Sequence, residues 1–228
     1  MPLSGLACGS YTVRGRRDEV LVTMRGQAEL ISTAIMVGVA LVIAYGLIYY
    51  LTPLIAAQRT GNEIASLIAR TSAAISAVPV YGEDNVTVVN IYGEALEAPV
   101  RLYVTVIAFD RNTSRIAPPS NYDFNVYILA SEIADASSPT GWNQLASITA
   151  PCRNVYIAYG NGYYQLSSFI QNCVALRLYD VGVLEPGIPV TVRVEYGPVG
   201  GYQYTIHVLI RISDNYYTVA EIPVEATS

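Results

Sequence analysis

The residue types that most often carry chemistry are sparse in this chain. Its single histidine, His207, shares an alternating strand face with Thr205 and Arg211, and we expect it to be solvated or half-buried. The three cysteines are Cys8, Cys152 and Cys173. Because Cys152 and Cys173 are expected to be tied together, one His and those two Cys leave no adequate set of ligands for a soft metal. Three acids in polar loops are candidate ligands for a cation, but they are not spaced as the ligands of a metal site are; these are Asp123, Glu132 and Asp135. Since no nucleophile elbow, phosphate-binding loop or dinucleotide-binding glycine pattern occurs either, we expect no catalytic residue, metal or cofactor.

The most informative polar residues are Arg25-Gly26-Gln27-Ala28-Glu29, because an uncharged apolar run follows them directly. This run extends from Leu30 to Ala57 and reads LISTAIMVGVALVIAYGLIYYLTPLIAA. At about 1.5 Å per residue, a helix of roughly 28 residues spans about 42 Å, longer than the ~30 Å hydrocarbon core of a bilayer. We therefore expect membrane insertion. Arginines precede the run and acids dominate after it, which places the N-terminus in the cytoplasm and the bulk of the chain outside.

A secretory signal peptide is the main competing interpretation of this run. Such peptides have an apolar stretch of about 7–15 residues that ends in small residues at the cleavage site. The run is longer than this, and Tyr49-Tyr50-Leu51-Thr52-Pro53 provides no such exit. We therefore expect the run to stay on the protein uncut, or to be cut on its N-terminal side.

A cationic segment that ends in glycine just before a long apolar helix resembles the class III signal peptides of archaeal type IV pilins and archaellins. The resemblance covers the order of the segments, and at the residue level it rests on Arg25, Gly26 and the adjoining helix. It implies cleavage between Gly26 and Gln27 by a prepilin peptidase, with residues 1–26 as the leader and the pilus assembly machinery as a further partner. The alternative is a plain single-span anchor in which Gly26 is an ordinary loop residue.

Glu29 departs from the bacterial pattern, in which a glutamate occupies the fifth mature position. It would be the third residue after the proposed cut. One role is stabilisation of the new helix N-terminus through the backbone dipole, by about 0.3–1 kcal/mol. The other is pairing with the new amino group of a neighbouring subunit.

Small residues recur inside the apolar run at a spacing of four. Ala34 and Gly38 form one such pair, and Ala40 and Ala44 form another. This spacing lets membrane helices approach closely. It is what the helical core of a filament requires, although lone anchors also contain such pairs.

Removal of the leader would also remove Cys8 and leave an even pair of cysteines, Cys152 and Cys173. An even pair outside the membrane favours a disulfide. Closing that loop would stabilise the domain by about 3 kcal/mol. The alternative is two unpaired buried thiols.

The rest of the chain divides into a helical and a β-rich part, so the predicted fold class is α+β. After a polar break at residues 58–62, apolar residues recur at helical spacing, and we expect the helix to continue to about Val78 and to stop at Pro79. Pro53 and Gly61 are the expected places for a bend or a loosened turn. The predicted segments are residues 1–26, 27–80 and 81–228.

From Tyr81 onward, short β-branched and aromatic runs alternate with turn residues, which predicts an antiparallel sandwich of immunoglobulin-like type. The expected strands are Val86–Tyr92, Val100–Phe109, Val126–Ala130, Val155–Tyr159, Val174–Tyr179, Val190–Tyr196, Tyr204–Ile212 and Tyr217–Val224. The segment from Gly197 to Gly201 is interpreted as the turn that joins two adjacent strands.

Surface chemistry adds less specific expectations. Sequons for N-glycosylation begin at Asn85 and Asn112. The 19 tyrosines suit a sandwich core and subunit packing, or an adhesive outer face. Net charge is −5 with scattered arginines, so we expect no nucleic-acid partner.

These patterns together predict a structural protein. The leading expectation is a membrane-inserted precursor that becomes the subunit of a pilus-like homopolymer at the cell surface, by resemblance used for adhesion. The alternatives are an archaellin of a swimming filament and a membrane-anchored extracellular module that binds a solute or a surface.

Overall fold

The chain consists of one long helix followed by a β-structure. The computed structural model describes residues 16–83, 85–113, 115–129, 141–160, 162–170, 172–197 and 201–224, with side chains from residue 30 onward. Most of the predicted leader, with Cys8, lies outside the described residues, and so do Glu132, Asp135 and the third residue of the second sequon, Ser114.

The helix α1 extends from Arg16 to Ala74, a length of 59 residues. Its N-terminal part lies inside the predicted leader, because the backbone is already helical ten residues before Gly26. Leu, Met, Arg, Glu and Ala are good helix formers, and a single interior glycine costs only about 1 kcal/mol. A helix already nucleated in the apolar run therefore propagates backwards through this segment.

The C-terminal end of α1 also differs from the predicted boundary near residue 80. The helix ends at Ala74, and the chain enters a strand at Ser76 that contains Val78 and Pro79. Pairing of Ser76 with Tyr92, continuing to Glu83 with Val86, outweighs the helical spacing of the apolar residues. Pro79 is compatible with this strand because the strand lies at a sheet edge, where a missing N–H is tolerated.

Thirteen strands lie in the described part of the chain. In chain order they are β1 (Ser76–Glu83), β2 (Val86–Tyr92), β3 (Val100–Asp110), β4 (Arg115–Ile116), β5 (Phe124–Leu129), β6 (Trp142–Gln144), β7 (Ser147–Pro151), β8 (Val155–Tyr159), β9 (Gly162–Gln165), β10 (Ala175–Leu184), β11 (Val190–Tyr196), β12 (Tyr202–Ile212) and β13 (Asn215–Pro223). Short 3-10 helices occupy Pro119–Asn121, Cys152–Asn154 and Leu166–Ser168.

These strands form two sheets. The first, sheet A, has the order β1-β2-β11-β5-β6. The second, sheet B, has the order β7-β10-β3-β12-β13-β8-β9, with β4 added beside β3. Pairing is antiparallel except between β13 and β8, which run parallel. The predicted antiparallel sandwich behind a long N-terminal helix is confirmed, with more strands than expected.

The main core lies between the two sheets and is built by alternate residues of their strands. In β11, Val192 and Val194 are fully buried, as the alternation predicts. They face the same core as the fully buried residues Val89, Ile91, Leu102, Val104, Val106, Ile206 and Val208. Arg193 is also buried, on the opposite face of the same strand, with its guanidinium 3.0 Å from Glu195 Oε1.

A second, smaller core covers the outer face of sheet B. Residues of the segment from β7 to Ile170 pack here against β3, β10 and β12, and the strands of this segment, β7, β8 and β9, are the outermost strands of sheet B. Its members include Tyr103, Ile107, Leu209, Leu176 and Leu178 from the sheet and Cys152, Val155, Ile157, Leu166 and Ile170 from the covering segment. Cys152 and Cys173 are joined by a disulfide with their Cα atoms 5.8 Å apart, which closes this segment.

The connection around Gly197 is not the turn between two adjacent strands that its sequence suggested. Strand β11 pairs with β2 and β5 in sheet A, whereas β12 pairs with β3 and β13 in sheet B. The glycine-rich segment therefore carries the chain from one sheet to the other, and turn composition alone does not distinguish this from a hairpin.

Candidate functional site: the apolar helix

The most unusual surface of the molecule is the apolar run of α1. Seventeen large apolar or tyrosine side chains between Leu30 and Ile55 are exposed, with exposed fractions from 45% at Leu51 to 86% at Tyr49. The part from Leu30 to Ala74 contains a stretch of mean hydropathy 2.3 and is long and apolar enough to cross a membrane. A signal sequence near the N-terminus would have a similar length and composition, so these two properties identify a segment that can enter a membrane but do not distinguish an anchor from a signal sequence.

The predicted cleavage residues all lie inside this helix. Arg25, Gly26 and Gln27 are helical, nine or more residues after the start of α1 at Arg16. Glu29 is likewise in the helix interior, so it would reach a helix N-terminus only after cleavage. The structure thus places the peptide bond between Gly26 and Gln27, the predicted cleavage position, within a continuous helix, which the sequence did not predict.

The two pairs of small residues occupy different sides of α1. Successive residues of a helix are rotated by about 100°, so Ala34 and Gly38 share one face and Ala40 and Ala44 share another, with about 120° between the two. A Cβ placed on Gly38 would meet no atom within 4 Å. Gly38 is therefore not needed for packing within one chain, and any close contact that it allows involves another molecule.

Pro53 and Gly61 do not interrupt α1, contrary to the expected bend or loosened turn. The helix is continuous at both positions. Near the proline, the Thr52 hydroxyl donates a hydrogen bond of 2.6 Å to the Ile48 carbonyl oxygen.

Tyrosines cluster late in the apolar run, a feature that the sequence analysis missed. Tyr45, Tyr49 and Tyr50 are 67–86% exposed. The helix rises about 30 Å from Leu30 to Tyr49, which equals the thickness of a hydrocarbon core. Tyrosine is enriched at membrane interfaces because its ring is apolar and its hydroxyl polar. If Leu30 lies at the inner interface, these tyrosines lie at the outer one.

The last turns of α1 belong to the same compact unit as the β-structure, which comprises Asn62–Ser228. Ile68 is 2% exposed and Ile75 5% exposed, and both join the main core. The Ser72 hydroxyl donates a hydrogen bond of 2.8 Å to the Val219 carbonyl oxygen of β13. Residues 62–74 are thus part of the head, whereas the described residues of α1 before Asn62 belong to the other unit.

His207 is more buried than the sequence suggested. It lies in β12 as predicted, but it is 5% exposed, and its Nδ1 lies 3.4 Å from Glu221 Oε1. Its neighbours across the sheet are Thr105 and Glu221.

Asp123, one of the acids considered as cation ligands, pairs with Arg177 at 2.5 Å. Among the described residues no group of three or more His, Cys, Asp or Glu side chains is arranged to hold a metal.

The tyrosines of the head mostly belong to its core. Tyr103, Tyr179, Tyr196 and Tyr204 are at most 5% exposed. Tyr122 is partly buried, donates a hydrogen bond to the Val106 carbonyl oxygen, and has a pKa raised by burial. The core interpretation of these residues therefore accounts for most of them, with an exception at Tyr159 and Tyr164. Asn85 and Asn112, the sequon asparagines, are both exposed.

The fold and the site define a β-sandwich head preceded by an apolar helix of membrane-spanning length. No protein-family model matches the chain, and no curated protein sequence matches it. One similar solved structure is that of AvmM, which catalyses macrocyclization in alchivemycin A biosynthesis, with 12% identity over 68% of this chain and 91% of that one and a TM-score of 0.37. Another is the human F-spondin reeler domain, with 12% identity over 67% and 89% and a TM-score of 0.26. Scores this low carry no argument about fold or function.

Proposed function

We propose that the chain is the precursor of a structural subunit of an archaeal type IV pilus-like filament. In the precursor the apolar helix holds the protein in the membrane. A prepilin peptidase then removes residues 1–26, and the assembly machinery packs many copies of the remaining helix into the core of a cell-surface polymer. The β-sandwich heads form the outer layer and serve adhesion.

The observation that carries the proposal is the exposed apolar surface of α1. Outside a membrane, burying the seventeen exposed side chains would be favourable by tens of kcal/mol, at about 1.5–3 kcal/mol each. The helix residues that pack into the head's core begin at Ile64. A bundle of identical helices buries these side chains. Because its interior excludes water as lipid does, moving the helix from the membrane into the bundle costs little free energy.

The distribution of small residues supports a polymer rather than a pair of helices. Each helix in a filament core touches neighbours on several sides, whereas a dimer needs only one close-contact face. Ala34 with Gly38 and Ala40 with Ala44 provide two faces about 120° apart. The Arg25-Gly26 junction, which only Gln27, Ala28 and Glu29 separate from the run, supports removal of the leader from the cytoplasmic side.

The second candidate is a membrane-anchored extracellular binding module. It is favoured by exposed aromatic side chains on the head, at Tyr159 and Tyr164, which a purely structural head would not require. In that case the helix remains a single span and the chain stays monomeric.

A matched pair of glycine substitutions tests the proposal. Gly38→Leu fills a predicted helix contact, while Gly46→Leu makes the same change at least about 100° away from both small-residue faces. A Cβ at either glycine meets no atom within 4 Å, so neither change should disturb the chain itself. We expect both variants to insert and to be cleaved. Gly38→Leu should reduce filament number at least tenfold, as counted by electron microscopy of the producing cells, and Gly46→Leu should leave it nearly unchanged.

Two outcomes would contradict the proposal. If Gly38→Leu cells carry normal filaments of this subunit, Gly38 makes no tight helix contact. If the processed wild-type protein stays monomeric in the membrane of its own host under all growth conditions, the anchored binding module is the correct function.

A further inference from the structure

One edge of sheet B carries two tyrosine side chains that lie outside both cores. Tyr159 ends β8 and Tyr164 lies in β9, and the register pairs Tyr159 with Gly162 and Ile157 with Tyr164, so both tyrosines share one face of the hairpin. Phe169 follows the 3-10 helix Leu166–Ser168 and completes a three-ring cluster. The ring centroids lie 5.5 Å apart for Tyr159 and Phe169 and 6.3 Å apart for the other two pairs. These three residues are called the aromatic patch below.

The two tyrosines of the patch are exposed, unlike most aromatic residues of the head, whereas Phe169 is partly buried against the second core. Tyr159 is 67% exposed and Tyr164 50%, whereas Tyr179 and Tyr204 in the main core are 2% exposed. Both tyrosine rings are therefore accessible to an external molecule.

The patch is also held in place. A Cβ on Gly162 would meet the Tyr164 ring at 3.3 Å, so the glycine at this position lets the ring lie close against the hairpin backbone. The same segment is closed by the Cys152–Cys173 disulfide and anchored in the second core through Val155, Ile157 and Leu166. A preorganised surface loses little conformational entropy when it binds a ligand.

The residues around the patch, from 154 to 174, indicate which class of ligand the patch would bind. After Arg153, no charged residue occurs from Asn154 to Val174, although the chain as a whole carries a net charge of −5. Asn, Gln, Ser and Tyr fill this stretch instead, the residue types that protein recognition surfaces use for adaptable hydrogen bonds and rigid aromatic contact. An anionic or cationic partner would find no counter-charge in the segment, whereas a neutral ligand would leave no charge unpaired.

The size of the patch argues against a second copy of the chain as its partner. Fully buried aromatic side chains contribute about 150–250 Å² each, so three rings that are partly exposed offer roughly 300 Å². A stable protein interface needs about 800 Å² from each partner. A few sugar rings, by contrast, fit this area, with their C–H faces against the aromatic rings.

We propose that the aromatic patch, Tyr159 with Tyr164 and Phe169, is a binding site for neutral carbohydrate. The site lies wholly within the head, so it does not depend on whether the chain polymerises. In a filament it would be the adhesive element, and on a single anchored protein it would be the recognition element.

Binding is tested with the full chain in lipid nanodiscs, since glycoside detergents would themselves present sugars. The probe is an array of neutral oligosaccharides, with acidic oligosaccharides on the same array, followed by calorimetry with the best-bound neutral glycan. We expect retention of at least one neutral glycan, with a Kd that changes less than about twofold between low and high salt, because no ion pairs form.

Three double variants locate the site. Tyr159→Ala with Tyr164→Ala should raise the Kd at least about tenfold, since two aromatic contacts are lost. Tyr159→Phe with Tyr164→Phe keeps the rings and should stay within about threefold to fivefold. Val183→Ala with Ile188→Ala truncates exposed apolar side chains elsewhere on the head, 53% and 56% exposed, and should have no effect. Circular dichroism melts of all three show whether the fold is retained.

Each remaining outcome overturns the proposal. It fails if no neutral glycan is retained on the array, if only acidic glycans bind, or if the double alanine variant binds the glycan as the wild type does. Should the double alanine variant unfold, the single variant Tyr159→Ala decides, because its ring is 67% exposed and its loss spares the core.

Discussion

At the scale of single residues, Gly26 lowers the stability of the helix at the proposed cleavage position. Arg25, Gly26 and Gln27 are helical in the uncut chain. A peptidase that binds an extended backbone would first have to unwind the turn that contains the proposed scissile bond. Glycine favours this unwinding, because it is about 1 kcal/mol less stable than alanine in a helix interior.

The proposed cut therefore predicts both a product and a rate. The mature protein should begin at Gln27, as measured by N-terminal sequencing. Gly26→Ala should slow processing about fivefold, the equivalent of about 1 kcal/mol of added helix stability, as measured by the ratio of precursor to product over time. Ala28→Gly is the matched control and should leave the rate equal or faster. Retention of Met1, or a cut beyond Ala57, would refute this processing.

The disulfide between Cys152 and Cys173 is a second feature at this scale. It closes the segment that covers the outer face of sheet B. We expect Cys152→Ser with Cys173→Ser to lower the free energy of unfolding by about 3 kcal/mol, because the unfolded chain regains the entropy of an open loop. Denaturant unfolding measures this. Alkylation of the mature protein without reductant should add no label, and two labels per chain would contradict the bridge.

At the scale of elements, the last turns of α1 are what join the helix to the sandwich core. Ile68 is 2% exposed, whereas its neighbour Leu67 is 49% exposed. Ile68→Ala should therefore destabilise the head by about 2–5 kcal/mol through lost burial and a cavity, and Leu67→Ala should cost much less. Thermal melting of both variants measures the difference. Equal losses would show that α1 does not contribute Ile68 to the core in solution.

The elements also show what the sequence could and could not predict. Strands β2, β8 and β11 match the sequence prediction to the residue, because each is a β-branched or aromatic run bounded by turn residues. Strand β1 was missed because Ile75 and Val78 continue the helical spacing, and only pairing with β2 decides the conformation. The short strands β4, β6 and β9 have two to four residues, which are too few to show a period.

The candidate site was predicted in part. The apolar run and its membrane-spanning length follow directly from the uncharged residues 30–57. The helical state of Gly26 was not predicted, because helix propagation from a strong segment into a weaker one is cooperative and depends on more than local composition. Whether Ala34 and Gly38 touch a neighbour depends on other molecules and follows neither from the sequence nor from a single chain.

At the scale of the whole molecule, the buried tyrosines make the stability of the head depend on alkaline pH. Burial raises the pKa of Tyr122, Tyr196 and Tyr204 above the ordinary value near 10. Below pH 10 both folded and unfolded chains keep these protons, and stability is complete. Above it the unfolded chain releases them first, so stability falls as pH rises.

This linkage predicts a melting temperature that is constant from pH 7 to about 9 and falls steadily above pH 10. Tyr122→Phe should flatten the fall, at the cost of about 1 kcal/mol for the lost hydrogen bond to Val106. Circular dichroism melts across the pH series measure both effects. A melting temperature that is unchanged up to pH 12 would contradict the burial of these hydroxyls.

The polymer itself is the central claim, and its most direct measurement is electron cryomicroscopy of filaments sheared from the native cell, with mass spectrometry of their subunit. The proposal predicts a filament whose subunit is this chain starting at Gln27, with the helices from residue 30 to 57 packed in the centre and the β-sandwich heads outside. Ala34 and Gly38 should lie at the closest helix contacts. Filaments that lack this chain, together with a processed protein found only as a membrane monomer, would contradict it.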